Sequence, residues 1–360
     1  MKKTSVCYVL SYYSPRYVRT ETLIKALQEI KNLELHQARN SSKGFWRYFE
    51  TLWKLIGIRL FHNPQYYILG FRGYEIFWIV RLITLGKTLI YDHMMSPYDS
   101  LVNEKKTVRK EGLLGKAIYL YERSILLSSD LVLTDTNIHR QYFHELFDTP
   151  LDKIEAVPVG TDEDVFRLNV PANPAISSDI FEVLFYGSFL PLHGMDVVLK
   201  AASILRERPI HFTLIGGNRL DLSEFHHMIE QLELRNVTHI DWVEYEELPR
   251  YIACADLGLG GAFGDTGQAG RVITGKTFQF LAMAKPVIVG LYNGDNDGFE
   301  DKVNCLQVPR GDERALGNAI LWALEHRGSL KRIGQLGYDL YRSRYSILQI
   351  SERLKGVIPL

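Results

Sequence analysis

The residues of this 360-residue chain best suited to chemistry lie in three glycine-bearing turns of its second half. They are Phe185-Tyr186-Gly187-Ser188-Phe189-Leu190-Pro191-Leu192-His193-Gly194, then Leu214-Ile215-Gly216-Gly217, then the stretch from Gly261 to Lys276. Each follows a β-branched or aromatic run and precedes an amphipathic one, so each can aim backbone N–H groups at a phosphate from a helix N-terminus. One glycine after a strand is usually a plain turn; three in one region point to an anion. Lys276 strengthens that reading, because a cation at the positive end of a helix is unfavourable unless an anion offsets it. No Gly-x-Gly-x-x-Gly, zinc-protease helix, Cys-x-x-Cys or Gly-x-Ser-x-Gly elbow is present, which argues against nicotinamide-dependent dehydrogenases and serine hydrolases. The histidines, His139 and His226-His227 among them, lack metal-ligand spacing, so no metal is expected.

Turns of this kind need strands and helices to carry them. Short β-branched runs alternate with longer amphipathic ones throughout, the pattern of β-α-β units around a parallel sheet. Strands are expected at Val6–Leu10, Leu33–His36, Tyr66–Leu69, Thr88–Tyr91, Leu131–Thr134 and Ile154–Val157, then at Phe181–Tyr186, His211–Ile215, Val237–Ile240, Leu257–Gly260, Pro286–Val289 and Cys305–Val308. Helices are expected between them, among them Thr20–Glu29, Phe45–Arg59, Leu113–Ser128, Met195–Arg206 and Lys276–Met283. Two successive six-strand sets make two doubly wound α/β domains rather than one barrel. We place the first at residues 1–158, a linker at 159–174, the second domain at 175–340, and a C-terminal helix at 341–360 that returns to the first domain. Ligands of such sheets bind beyond the carboxyl ends of the strands, so the cleft is expected between the domains.

At 46% hydrophobic the chain is too apolar for disorder. Lys and Arg balance Asp and Glu at 42 each, leaving no basic excess for nucleic acid. The balance hides an asymmetry: residues 1–158 hold 22 basic and 16 acidic side chains, the remainder 20 and 26. Cys7, Cys254 and Cys305 are far apart in apolar runs, as buried reduced thiols of a cytosolic protein would be. The N-terminal apolar stretch is too short for a signal peptide. The run Ile76 to Tyr91 carries Arg81, Gly86 and Lys87 and is too short to span a bilayer. A cytoplasmic location is expected.

The segment Arg271-Val272-Ile273-Thr274-Gly275-Lys276-Thr277-Phe278-Gln279-Phe280-Leu281-Ala282-Met283-Ala284-Lys285-Pro286-Val287-Ile288 resembles the donor-binding helix of family-4 (group 1) retaining glycosyltransferases. So do Gly187–Ala202, with His193-Gly194-Met195-Asp196, and the phrase Val157-Pro158-Val159-Gly160-Thr161-Asp162 followed by Phe166. The resemblance implies the GT-B fold, two Rossmann-like domains facing across a cleft, and transfer of a sugar from a nucleotide-sugar with no obligatory cofactor or metal, a UDP-sugar being favoured over a GDP-sugar. It implies donor contacts from Gly187, Ser188, His193, Gly194, Gly216, Gly217, Val243, Gly264, Asp265, Thr266, Arg271, Lys276 and Gln279. Lys276 would meet the charge that develops on the departing diphosphate. Where the family commonly has a pair of glutamates this chain has Arg271 and Gln279. Gln279 can still bond vicinal hydroxyls but carries no charge. Asp92 and His93, closing the strand Thr88–Tyr91, resemble the family's residues near the sugar and are catalytic candidates with Lys276; His93 is equally readable as an ordinary loop histidine. Arg16, Arg19 and Tyr98 are the acceptor-side candidates, the arginines being equally readable as solvated. The acceptor would be a saccharide or lipid-linked saccharide of the cell envelope. Two rivals remain: an impaired member that binds nucleotide or glycan as a partner subunit, and a nucleotide-sugar epimerase on the same plan.

Residues 41–62 interleave Phe45, Trp46, Phe49, Trp53, Ile56 and Phe61 with Lys43, Arg47, Lys54 and Arg59. Such a helix either lies in a headgroup layer on the inner face of the membrane, bringing the protein to a lipid-linked acceptor, or packs its aromatics on the first sheet.

Overall fold

A computed structural model describes residues 3–14, 17–171, 180–217, 222–291 and 297–358. The chain divides into two compact units, one of residues 1–160 with 347–360 and one of residues 161–346.

Unit 1 contains β1 (Thr4–Leu10), α1 (Val18–Gln28), β2 (Leu33–Arg39), α2 (Trp46–Phe61), β3 (Tyr66–Leu69), α3 (Phe77–Ile83), β4 (Thr88–Asp92), α4 (Leu113–Ser128), β5 (Leu131–Thr134), α5 (Asn137–Phe147) and β6 (Ile154–Ala156). Its six strands are parallel in the order β2-β1-β3-β4-β5-β6. Val6 to Leu10 are fully buried, the unbroken apolar run of a strand covered on both faces. Thr136 caps α5 by accepting the His139 N–H at 3.1 Å.

Unit 2 contains β7 (Phe181–Gly187), α6 (Met195–Ile204), β8 (Ile210–Gly216), α7 (Leu222–Gln231), β9 (Val237–Ile240), α8 (Leu248–Cys254), β10 (Leu257–Gly261), α9 (Gly275–Ala282), β11 (Val287–Gly290), β12 (Leu306–Val308), α10 (Glu313–Glu325) and α11 (Arg327–Arg344). Its parallel order is β12-β11-β10-β7-β8-β9. Asp312 caps α10 through the Ala315 N–H at 2.8 Å. The chain then re-enters unit 1 as α12 (Ile347–Val357), whose Ile347, Ile350 and Leu354 join the core of Leu23, Ile24 and Leu27.

Helix α2 settles one of the alternatives above. Only Thr51 and Leu55 of α2 are buried, whereas Trp46 is 72% and Trp53 79% exposed. The aromatics therefore face outward, and the reading in which they pack on the sheet is overturned. The Arg59 guanidinium donates to the carbonyls of Ile83 and Leu85, tying α2 to the end of α3, where Trp78, Ile79 and Leu82 are also exposed. Among the described residues no helix is long and apolar enough to cross a membrane.

Candidate functional site

The second sheet reverses its winding between β7 and β10. At such a point two neighbouring connections leave in opposite directions and open a crevice beyond the strand ends. The turn after β7 and the loop after β10 both start there. Gly187 closes β7 at φ +147°, and a Cβ on it would lie 3.3 Å from His193 Cε1 and 3.6 Å from Lys276 Nζ. Its bare Cα is thus the floor of a cradle walled by an imidazole and an ammonium. The second and third turns close on the first. A Cβ on Gly194, at φ +65°, would lie 2.4 Å from Gly264 N, so the two loops pack backbone on backbone. The Gly264 N–H donates to Leu192 O at 3.1 Å, and the Gly217 N–H to Gly187 O at 2.9 Å.

Helix α9 delivers Lys276 from its first turn. Its N-terminal flank, Thr274, turns its hydroxyl away to donate to Gly260 O at 2.6 Å, so no side chain caps the first-turn N–H groups. Lys276 is buried and its Nζ lies 4.6 Å from the Phe185 ring centroid. Among the described residues no carboxylate pairs with it. Burial pushes its pKa from 10.5 down to about 7. Burial, and then the neighbouring Lys276, hold His193 well below its ordinary 6.5, so the imidazole is neutral. Its buried Nδ1 has no hydrogen-bond partner, and such a group calls for one. The cradle is a desolvated, uncompensated cationic site with an orphaned polar atom beside it, and an anion completes both.

The remaining donor candidates are less uniform. Gln279 is buried one turn beyond Lys276, and its Oε1 accepts from the Tyr186 hydroxyl at 2.7 Å. The Thr266 hydroxyl accepts the Ala269 N–H at 3.1 Å. Arg271 and Val243 are half-buried, while Ser188 and Asp265 are exposed. Trp242, beside Val243, is 72% exposed.

In unit 1 the structure corrects the acceptor-side readings. Arg19 is not a surface group: it is fully buried. It bonds Asp92 through Nη2 at 2.8 Å and Nε at 3.1 Å, and donates through Nη1 to the carbonyls of Val157 and Pro158. That fork locks Asp92 at the end of β4, so neither side chain is free for a ligand. Tyr98 is buried against Tyr119 and Phe147, and it is its backbone N–H that is engaged, donating to Glu122 Oε2 at 2.8 Å. Arg16 lies outside the described residues. His93 stands where expected but is closed in between Tyr91 and Phe143. Its Nε2 is 3.0 Å from Glu122 Oε1 without hydrogen-bond alignment. Beside this cluster His139 Nδ1 meets Asp135 Oδ1 at 2.5 Å, and His139, then Arg19, hold the Asp135 carboxyl below its usual range against the opposing effect of burial. Glu122 and Asp135 were missed by sequence reasoning. A carboxylate at position 122, on the same helix face as buried Gly115, Ile125 and Leu126, was the available signal.

Residues 181–326 match the family model described as Glycosyl transferases group 1. The matched region holds the cradle, both loops and Gln279. A D-inositol 3-phosphate glycosyltransferase of Paenarthrobacter aurescens (strain TC1) is 28% identical over 212 residues, 54% of this chain and 48% of that protein. An uncharacterized 41.2 kDa protein in the cps region of Klebsiella pneumoniae is 25% identical over 150 residues, 39% of each. The chain thus spans half or less of the curated relatives it matches. The crystal structure of Anabaena Alr3699/HepE in complex with UDP-glucose is similar in fold, with a TM-score of 0.74 at 13% identity, covering 98% of both chains. The two parallel six-stranded sheets form the GT-B fold.

Proposed function

We propose that this protein transfers a sugar from a UDP-sugar to a saccharide or lipid-linked saccharide acceptor, with retention at the anomeric carbon and without a metal. The observation that carries the reading is the convergence of Lys276 Nζ and the His193 imidazole over Gly187 at the switch point of the second sheet. In the reaction the acceptor hydroxyl oxygen bonds to the anomeric carbon, the bond from that carbon to the β-phosphate oxygen breaks, and the hydroxyl proton passes to the departing phosphate. Lys276 and the first-turn N–H groups of α9 meet the charge on that oxygen as it develops, and His193 Nδ1 bonds a second phosphate oxygen. Gly216, Gly217 and Val243 border the base and ribose. Gly194, Gly264, Asp265, Thr266, Arg271 and Gln279 border the sugar. Asp92 and His93 act in this reading as supports for the end of β4.

A UDP-sugar is favoured because the similar HepE fold holds UDP-glucose. A cell-envelope role is favoured by the relative in the cps region, and peripheral membrane contact by the outward-facing aromatics of α2. One second reading has its own observation: Gln279 Oε1 is already bonded to Tyr186, which suits a member that binds nucleotide without turning it over. The deciding experiment is a calorimetric titration with UDP, GDP and ADP and their glucose conjugates, repeated on Lys276→Ala. Selective uridine-nucleotide binding lost in the variant, with sugar transfer to an acceptor, supports the transferase; binding with no turnover of any conjugate supports the second reading; no binding at all removes both.

A further inference from the structure

In unit 1, three ligating side chains meet where the last turn of α2 lies over the edge strand β2. Glu34 and His36 are two residues apart on β2 and so project from the same face. The next residue on that face, Ala38, is buried in the core cluster that holds Leu55 of α2. The helix therefore runs across this face of the strand and ends above Glu34 and His36 with His62, whose N–H donates to Ile58 O at 2.9 Å. The rings of His36 and His62 lie 4.3 Å apart at 31°. His36 Nε2 is 3.4 Å from Glu34 Oε1, and one ligand atom from each of the three residues lies within 4.8 Å of the other two. His36 Nε2 is also buried with no hydrogen-bond partner, the condition an ion would relieve.

We infer that Glu34, His36 and His62 bind one divalent transition-metal ion of the zinc class. Bonds of about 2.0–2.2 Å place tetrahedral ligand atoms about 3.4 Å apart. The Glu34–His36 pair already has that separation, and His62 and Glu34, both exposed, close the rest by side-chain rotation. Two imidazoles and one carboxylate favour zinc and its neighbours over magnesium or calcium, which take oxygen ligands. Glu34 and His36 pair with the N-terminal half of β1, so the site lies toward the end of the sheet opposite Asp92. The ion would clip the end of the aromatic helix to the free edge of the sheet and take no part in sugar transfer.

The test uses the full chain without an affinity tag, stripped with EDTA, titrated with zinc chloride by calorimetry and followed by thermal unfolding with and without zinc. One equivalent is expected to bind, with a raised melting temperature. His36→Ala and His62→Ala should each weaken binding at least tenfold, whereas His226→Ala, at the separate His226–His239 contact, should leave it unchanged. His62 is an exposed helix cap, so its variant remains informative if His36→Ala disturbs the sheet. Absence of saturable binding, or zinc affinity in His62→Ala equal to that of the unaltered chain, would overturn the site.

Discussion

Lys276 gives the most demanding prediction because its burial couples nucleotide binding to pH. Burial holds it at about 7 instead of 10.5, which at about 1.4 kcal/mol per pH unit costs the free protein on the order of 5 kcal/mol at neutral pH. The sign follows from which state holds the proton. Above 10.5 both folded and unfolded chains are neutral at this residue and it contributes nothing. As pH falls from there to about 7 the unfolded chain alone takes up the proton, so folding stability declines; below about 7 the folded chain is protonated too and the loss stops growing. A diphosphate against Nζ restores the ammonium, so binding above pH 7 must take up a proton. The affinity for UDP-glucose, whose phosphates do not titrate in this range, should therefore fall towards about tenfold per pH unit as the pH rises above about 7. Lys276→Met should bind weakly and without that slope, and should be more stable to urea than the unaltered protein at neutral pH by up to several kcal/mol. Calorimetry at three or four pH values checks the slope, and urea unfolding checks the stability. A flat profile for the unaltered protein, or an equal slope in Lys276→Met, would refute the assignment of Lys276 to the phosphates.

Gly187→Ala places a methyl 3.3 Å from His193 Cε1 and 3.6 Å from Lys276 Nζ; UDP affinity should drop at least tenfold while the circular dichroism spectrum stays native, and unchanged affinity would disprove the cradle. Arg19→Met strands Asp92 in the interior and should cost about 3–5 kcal/mol in urea unfolding; a loss under about 1 kcal/mol would mean the pair is not buried as described. Trp46→Ser with Trp53→Ser should release the protein from anionic lipid vesicles in co-sedimentation while changing folding stability by about 0.5 kcal/mol or less per site. Equal sedimentation of the double variant would remove the membrane contact.

All twelve strands were legible, the central ones because parallel strands buried on both faces are continuous apolar runs and the exposed edge strands β2 and β9 from their short apolar or β-branched stretches; β3, β5 and β9 match the expected bounds to the residue. The run Ile76–Tyr91 was legible only as apolar. It resolves into α3 and the start of β4 on either side of Gly86, a helix and a strand that a single apolar composition does not separate. Helix α11 went unread because its length is mostly polar, and the helix expected over 341–360 is broken at Tyr345 and Ser346. At the site, Lys276 and the glycine turns stood out because a cation at a helix start and glycines after strands are local signals. Arg19 and Tyr98 were misread because exposure is not local: Arg19 is buried by Asp92, 73 residues on, and by the Val157 carbonyl, 138 residues on.

The return of α12 to unit 1 sets an order of events during synthesis. Residues 161–346 form one uninterrupted unit and can finish folding once Ser346 has left the ribosome. The first sheet is made earlier but lacks Ile347, Ile350, Leu354 and Ile358, which complete the core around Leu23 and Leu27. At about 5–20 residues per second, the N-terminal half waits roughly 10–40 s with that apolar face uncovered. A stop codon just before Ile347 would make the wait permanent, leaving a well-formed second unit attached to a first unit with an open core.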